Sequence, residues 1–220
     1  MKHPDVKAVI FDFGNVISRP QDSAAVSRMA EILGVSHPDF LPVYMRERHE
    51  YDRGVLSDAE YWNKVYTSFP VKGGGSVHEL PAAVIERLQE HDHKSWAQVD
   101  ERMISWARSL HESGVAIAIL SNMPVTFYQT ILSRFSWIGM FDELIISGML
   151  RQLKPEPEIY RTALSRLRIS ADQAIFIDDL EPNVAAAGTI GMHALKYTDF
   201  ASLGRIVSEQ YGFDFPAVDG

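Results

Sequence analysis

Four short apolar runs, each cut off by polar residues, constrain the fold of this chain more than any other feature. Ala8 to Phe11 stops at Asp12, Val115 to Leu120 at Ser121, Leu144 to Ile146 at Ser147, and Ala174 to Ile177 at Asp178. Continuous runs of this length suit strands buried on both faces, as in a parallel sheet covered by helices. Helical stretches separate the later ones: Asp100 to Ser113 before Gly114, Val125 to Phe135, Pro155 to Leu167, and Pro182 to Ile190. The alternation predicts an α/β fold with a doubly wound parallel sheet.

Between the first two runs lies an insert that is helical in pattern and has no comparable strand. The expected division is a core of residues 1–17 and 100–220 with a small α-helical cap over 18–99. Cap segments run from Ser23 to Leu33 before Gly34, from Asp39 to Asp52, from a helix opened by Ser57 with Glu60 at capping-box spacing, and from Leu80 to His91. Tyr44, Tyr51, Tyr61, Trp62 and Tyr66 are read as packing between cap helices. Gly73-Gly74-Gly75-Ser76 is read as a linker, because it lacks the spacing and preceding strand of a nucleotide-binding loop. Arg19, Arg46 and Arg53 are left on the cap surface.

Composition removes several function classes. With 220 residues, 46% of them hydrophobic, the chain buries a sizeable core. It has no cysteine, so disulfides, thiolate metal sites and a cysteine nucleophile are excluded. A net charge of −8 opposes nucleic acid and anionic membranes as partners. The first apolar run is too short for a membrane span and has no export-cleavage pattern, so a cytoplasmic protein is expected. A small phosphate could still be held locally; oligomeric state stays open.

In an open parallel sheet, ligands bind beyond the carboxyl ends of the strands. Here those ends supply Asp12, Ser121-Asn122 and Asp178-Asp179, a combination that suits a metal and a phosphate. The residues around these positions resemble a known family. In order along nearly the whole chain, Phe11-Asp12-Phe13-Gly14-Asn15-Val16, Leu120-Ser121-Asn122, Lys154-Pro155-Glu156-Pro157-Glu158-Ile159-Tyr160, and Phe176-Ile177-Asp178-Asp179 followed by Asn183 resemble the four motifs of the haloacid dehalogenase-like (HAD) hydrolases. Arg53-Gly54-Val55-Leu56-Ser57-Asp58 is similar to the cap of the subgroup containing sugar-phosphate phosphatases and the phosphatase domain of soluble epoxide hydrolases.

The resemblance implies a Rossmann-like core and a Mg²⁺-dependent phosphatase whose partner is a small phosphorylated metabolite. Asp12 would attack phosphorus to form an aspartyl phosphate, with a cation offsetting the repulsion between anions. Mg²⁺ prefers octahedral oxygen ligands and keeps several waters, so Asp12, the Gly14 carbonyl and one acid of the last motif suffice. Alternating side-chain direction makes it unlikely that both acids face the ion, and the resemblance favours Asp179. Asp178 then supports the ligands from behind, and Asn183 orients a bound water or simply begins the next helix. Gly14, Asn15, Ser121, Asn122 and Lys154 are expected around the phosphate. Lys154, before Pro155 at an expected helix start, is read as the phosphate clamp.

One position departs from the pattern. Most phosphatases of the group carry a second aspartate two residues after the nucleophile as general acid and base, where this chain has Gly14. Such help is typically worth about 10²- to 10⁴-fold, or roughly 3 to 5 kcal/mol of barrier. The form found here resembles glucose-1-phosphate phosphatases, which favours a good leaving group, a sugar 1-phosphate or an acyl phosphate, with water or a cap acid assisting. Two alternatives stay open: a metal-independent 2-haloacid dehalogenase, and a non-catalytic phosphate-binding protein.

Overall fold

The structure, a computed structural model, describes residues 4–70 and 79–216. The linker expected at Gly73 to Ser76 lies outside the described residues. Five parallel strands form one sheet: β1 (Ala8–Phe11), β2 (Ala116–Ser121), β3 (Glu143–Ile146), β4 (Ala174–Asp178) and β5 (His193–Lys196), in the order β3-β2-β1-β4-β5. Phe11 pairs with both Ile119 and Ile177, so Asp12, Ser121 and Asp178 leave the sheet at one edge, within a residue of common register.

Helices cover both faces, and the period-two alternation of the strands decides which residues meet which layer. Val9, Phe11, Ile117, Ile119, Ile175 and Ile177 pack under α5 (Glu101–Glu112), α6 (Val125–Arg134) and α10 (Phe200–Tyr211). Ile10, Ala118, Leu120 and Phe176 pack against α8 (Pro157–Leu167) and α9 (Glu181–Ile190). A single turn, α7 (Ser147–Leu150), follows β3. The fifth strand and α10 have no counterpart in the apolar runs. At this edge of the sheet His193, Ala194 and Leu195 are only half-buried, so the sequence never needed a continuous apolar stretch there.

The insert folds as α1 (Ser23–Leu33), α2 (His37–Asp52), α3 (Asp58–Thr67) and α4 (Ala82–Trp96). Ser57 and Glu60 form the expected capping box, and Gly34 ends α1 in the left-handed region at φ 69°. Met29, Phe40, Tyr44, Tyr61, Trp62 and Leu88 build a core separate from those of the sheet. Tyr44, Tyr51, Tyr61 and Trp62 are buried, as packing requires, while Tyr66 is half-buried. An antiparallel bridge between Ser18 and Val99 joins the two strands of the neck.

Two expectations are corrected. Pro155 does not open α8. Glu156 N–H donates to the Leu153 carbonyl at 2.8 Å, closing residues 153–156 into a turn, and the helix starts at Pro157 with Glu156 as N-cap. Nor does Arg53 lie free on the cap surface. Its guanidinium bonds both oxygens of Glu156, at 2.9 and 2.5 Å, and so ties cap to core.

Candidate active site

The edge where β1, β2 and β4 end carries a compact charged cluster. Asp12 Oδ1 accepts the Phe13 N–H at 2.7 Å and lies 2.8 Å from Lys154 Nζ. The same ammonium is 2.7 Å from Asp178 Oδ2, and its side chain is 1% exposed. Burial works against the ammonium, but Asp12 and Asp178 outweigh it and hold its pKa above the ordinary lysine value. Burial raises the Asp12 carboxyl; Lys154 opposes that shift and Asp178 adds to it. Lys154 thus neutralises two carboxylates that could not otherwise share so dry a site.

Each acid has a distinct setting. Asp178 is fully buried, and besides Lys154 it takes the Leu180 N–H at 2.8 Å and the Asn183 amide at 3.1 and 3.0 Å. Asn183 stands in the first turn of α9, as expected of a residue that begins the helix, and its amide is spent on Asp178. Asp179 is half-exposed and accepts the Asn15 amide at 2.9 Å; burial raises its carboxyl and that hydrogen bond opposes the rise. Carboxylate oxygens of Asp12, Asp178 and Asp179 lie within 4.8 Å of one another, so chain alternation does not turn Asp178 away from the cluster. What sets Asp178 apart is the number of donors already bound to it.

Two side chains expected around the phosphate are engaged with protein. Asn15, at φ 58°, directs its amide at Asp179. Asn122 clasps the Lys154 backbone, donating to its carbonyl and accepting from its N–H, both at 2.9 Å. That clasp carries Lys154 to the acids without the helix start the sequence suggested. The Ser121 side chain opposes the rise of the Asp12 carboxyl. Three carboxylates form a hard-oxygen set, the chemistry that suits Mg²⁺, and Gly14 lines the same cavity; Asp12, Asp179 and the Gly14 carbonyl would hold the ion.

Asp12, Gly14, Asn15, Ser121, Asn122, Lys154, Asp179 and Asn183 all line one cavity of about 350 Å³. Its other wall comes from the cap: Met45, Arg48, His49 and Asp52 of α2, with Trp96 ending α4. None of these was singled out from sequence. The spacing Met45, Arg48, Asp52 marks one helix face, but polar residues so spaced normally face solvent. Arg48 is buried, bonding Asp92 at 2.7 and 2.9 Å and Asp52 at 3.3 Å; Tyr44 bonds both Arg48 and Asp92. A Cβ on Gly14 would touch the Trp96 ring at 3.6 Å, so the indole stands over the place where a second acid would project.

Comparison with known proteins agrees with this geometry. A family model described as haloacid dehalogenase-like hydrolase matches residues 6–191. A sesquiterpene phosphatase of Aspergillus oryzae is 37% identical over 194 residues, covering 88% of this chain and 90% of its own. Bifunctional epoxide hydrolase 2 of Rattus norvegicus is 36% identical over 122 residues, 54% of this chain and 22% of that longer protein. A solved HAD family enzyme from Bacteroides thetaiotaomicron, in complex with magnesium and inorganic phosphate, superposes with a TM-score of 0.68 at 17% identity, covering 90% of this chain and 98% of the other. That last likeness is one of fold.

Proposed function

The chain belongs to the haloacid dehalogenase-like hydrolases, and from that premise we propose that it is a Mg²⁺-dependent phosphatase acting on a small phosphate monoester through an aspartyl phosphate on Asp12. The observation that carries the proposal is the convergence of Asp12, Asp178 and Asp179 around Lys154 at the base of a cavity lined by core and cap. Asp12 attacks phosphorus, the ester oxygen leaves, and water then cleaves the acyl phosphate. Asp12, Asp179 and Gly14 would hold Mg²⁺, which would supply the positive charge that offsets repulsion between carboxylate and phosphate. Lys154 holds Asp12 in place and Ser121 offers a hydroxyl beside it. The acidic pair at 178–179 supports this reading over a metal-independent dehalogenase.

The cavity wall bears on the substrate. Met45, Trp96, Met123, Phe127, Leu153 and Leu180 present apolar surface to the space above Asp12. Desolvating sugar hydroxyls against such a wall leaves them without partners, whereas a hydrocarbon skeleton gains by burial. The fitting substrate is therefore a phosphate ester of an apolar alcohol, a class that includes the terpenyl phosphates suggested by the name of the Aspergillus oryzae relative. Sugar 1-phosphates and acyl phosphates, favoured by the leaving-group argument at Gly14, are the comparison class.

The test is phosphate release from prenyl, sugar, acyl and p-nitrophenyl phosphates, with Mg²⁺ and with EDTA, for wild type and Asp12→Asn. Turnover that needs Mg²⁺ and falls to background in Asp12→Asn is expected, highest on the prenyl ester. Turnover surviving EDTA, or surviving in Asp12→Asn, would sink the proposal.

A further inference from the structure

Gly14 leaves the core without a proton donor for the departing alcohol. The ionisable side chains lining the cavity are Asp12, Asp179, Lys154, Arg48, His49 and Asp52. Asp12 is the nucleophile, Asp179 faces the cation, and Lys154 is locked between two carboxylates. Arg48 keeps its proton at any working pH. Two groups remain, both from the cap.

We propose that Asp52, the last residue of α2, gives a proton to the leaving-group oxygen and then serves as base for the attacking water, replacing the aspartate absent at Gly14. The assignment rests on the phosphatase reading above. Its geometry is fixed from both sides. The Asp52 carbonyl accepts the Ser147 hydroxyl at 2.5 Å, and Ser147 Oγ accepts the Met123 N–H at 2.9 Å, next to Ser121 and Asn122. Arg53 is clamped to Glu156, two residues from Lys154. The end of α2 is thus moored to both loops that frame the phosphate.

The side chain is held as a proton carrier must be. Asp52 Oδ1 meets Arg48 at 3.3 and 3.2 Å, a guanidinium already committed to Asp92 at 2.7 Å, while Oδ2 takes no hydrogen bond from the described residues. The Asp52 side chain is 15% exposed, and it lines the cavity. His49, by contrast, is an exposed residue whose ring makes no hydrogen bond among the described residues. Burial pushes the Asp52 carboxyl up to about 6; Arg48 opposes that, Asp92 adds to it and His49 lowers it slightly. A carboxyl in that range exchanges a proton near neutral pH.

The steps balance. As an Asp12 oxygen bonds phosphorus and the phosphorus–ester oxygen bond breaks, the Asp52 proton passes to that oxygen and the alcohol leaves. As water bonds phosphorus and the bond from phosphorus to Asp12 breaks, a water proton returns to Asp52 and phosphate is released.

The experiment compares wild type, Asp52→Asn, Asp52→Glu and His49→Gln, with Mg²⁺, on an alkyl phosphate and on p-nitrophenyl phosphate. An alkoxide needs a proton to leave and nitrophenolate does not. Asp52→Asn keeps a hydrogen-bonding group for Arg48, and its single-turnover rate of alcohol release, which precedes any use of Asp52 as base, is expected to fall about 10²- to 10⁴-fold on the alkyl ester but less than about 10-fold on the aryl ester. Asp52→Glu should recover part of the alkyl activity. The wild-type pH profile gives a reading independent of any variant. Arg48, His49 and Asp92 are the charged groups facing Asp52, and single-turnover alcohol release from the alkyl ester should decline above about pH 6 while release from the aryl ester shows no such limb. Equal losses on both esters, or a leaving-group-dependent loss in His49→Gln instead, would overturn the assignment while leaving the phosphatase intact. A wild type that turns over neither ester overturns both.

Discussion

Lys154 is the residue on which the site depends most. Its sequence context suggested a clamp for substrate phosphate, yet its ammonium sits 2.8 Å from Asp12 and 2.7 Å from Asp178, and its backbone is gripped by Asn122. Removing one partner from a buried ionic cluster leaves uncompensated charge, at a cost of about 3–5 kcal/mol. Lys154→Met is therefore expected to lower unfolding free energy by that order in urea titrations, with Mg²⁺ restoring more stability to the variant than it adds to wild type. A loss below about 1 kcal/mol would mean the three charges are not coupled as their distances imply. The residue types at Asp12, Ser121, Asp178 and Asp179 were legible in the sequence because each ends an apolar run. The partners of Asn15 and Asn122 were not, since Asp179 and Lys154 lie 164 and 32 residues away along the chain.

At the scale of elements, the seat of the cap on the core includes a close approach of backbone to backbone. Gly54, at φ 75°, approaches Gly148 so closely that an added Cβ would lie 2.3 Å from the Gly148 carbonyl oxygen. Gly34 also has a positive φ, 69°, but has nothing within 4 Å of the same added atom. Alanine at either position bears the left-handed penalty of about 1–2 kcal/mol. Only Gly54→Ala also collides with backbone. Gly54→Ala should therefore lose clearly more stability than Gly34→Ala in denaturant titrations, and lose alkyl phosphatase activity as well. Equal losses would show that the contact with Gly148 is slack. The cap helices were readable from their periodicity and from signals such as Ser57 with Glu60. The strand His193–Lys196 was not, because a half-buried edge strand has no full apolar run to betray it.

For the whole molecule, the cores on the two faces of the sheet and the separate core of the cap meet around one cavity, and its floor concentrates negative charge that a cation relieves. A ligand bound only by the folded state stabilises by mass action, about 2.7 kcal/mol at 100 times its Kd. Mg²⁺ should accordingly raise Tm in wild type and do so much less in Asp179→Asn; an equal rise in both would place the ion elsewhere. Among the described residues no helix is long and apolar enough to cross a membrane. The sequence by itself determined the parallel sheet, the helical insert and the identity of the acids at the strand ends, because those are encoded in runs, periods and abrupt polar stops of a few residues each. Only the tertiary structure decided what faces those acids. Asp52 and Arg48 sit on a helix whose local pattern reads as a solvated face, and they reach the cavity through long-range contacts that include Ser147 with Asp52, Arg53 with Glu156, Gly54 with Gly148 and Asp58 with Thr126. Docking of the cap on the sheet depends on pairs 37 to 103 residues apart, and no local periodicity records them.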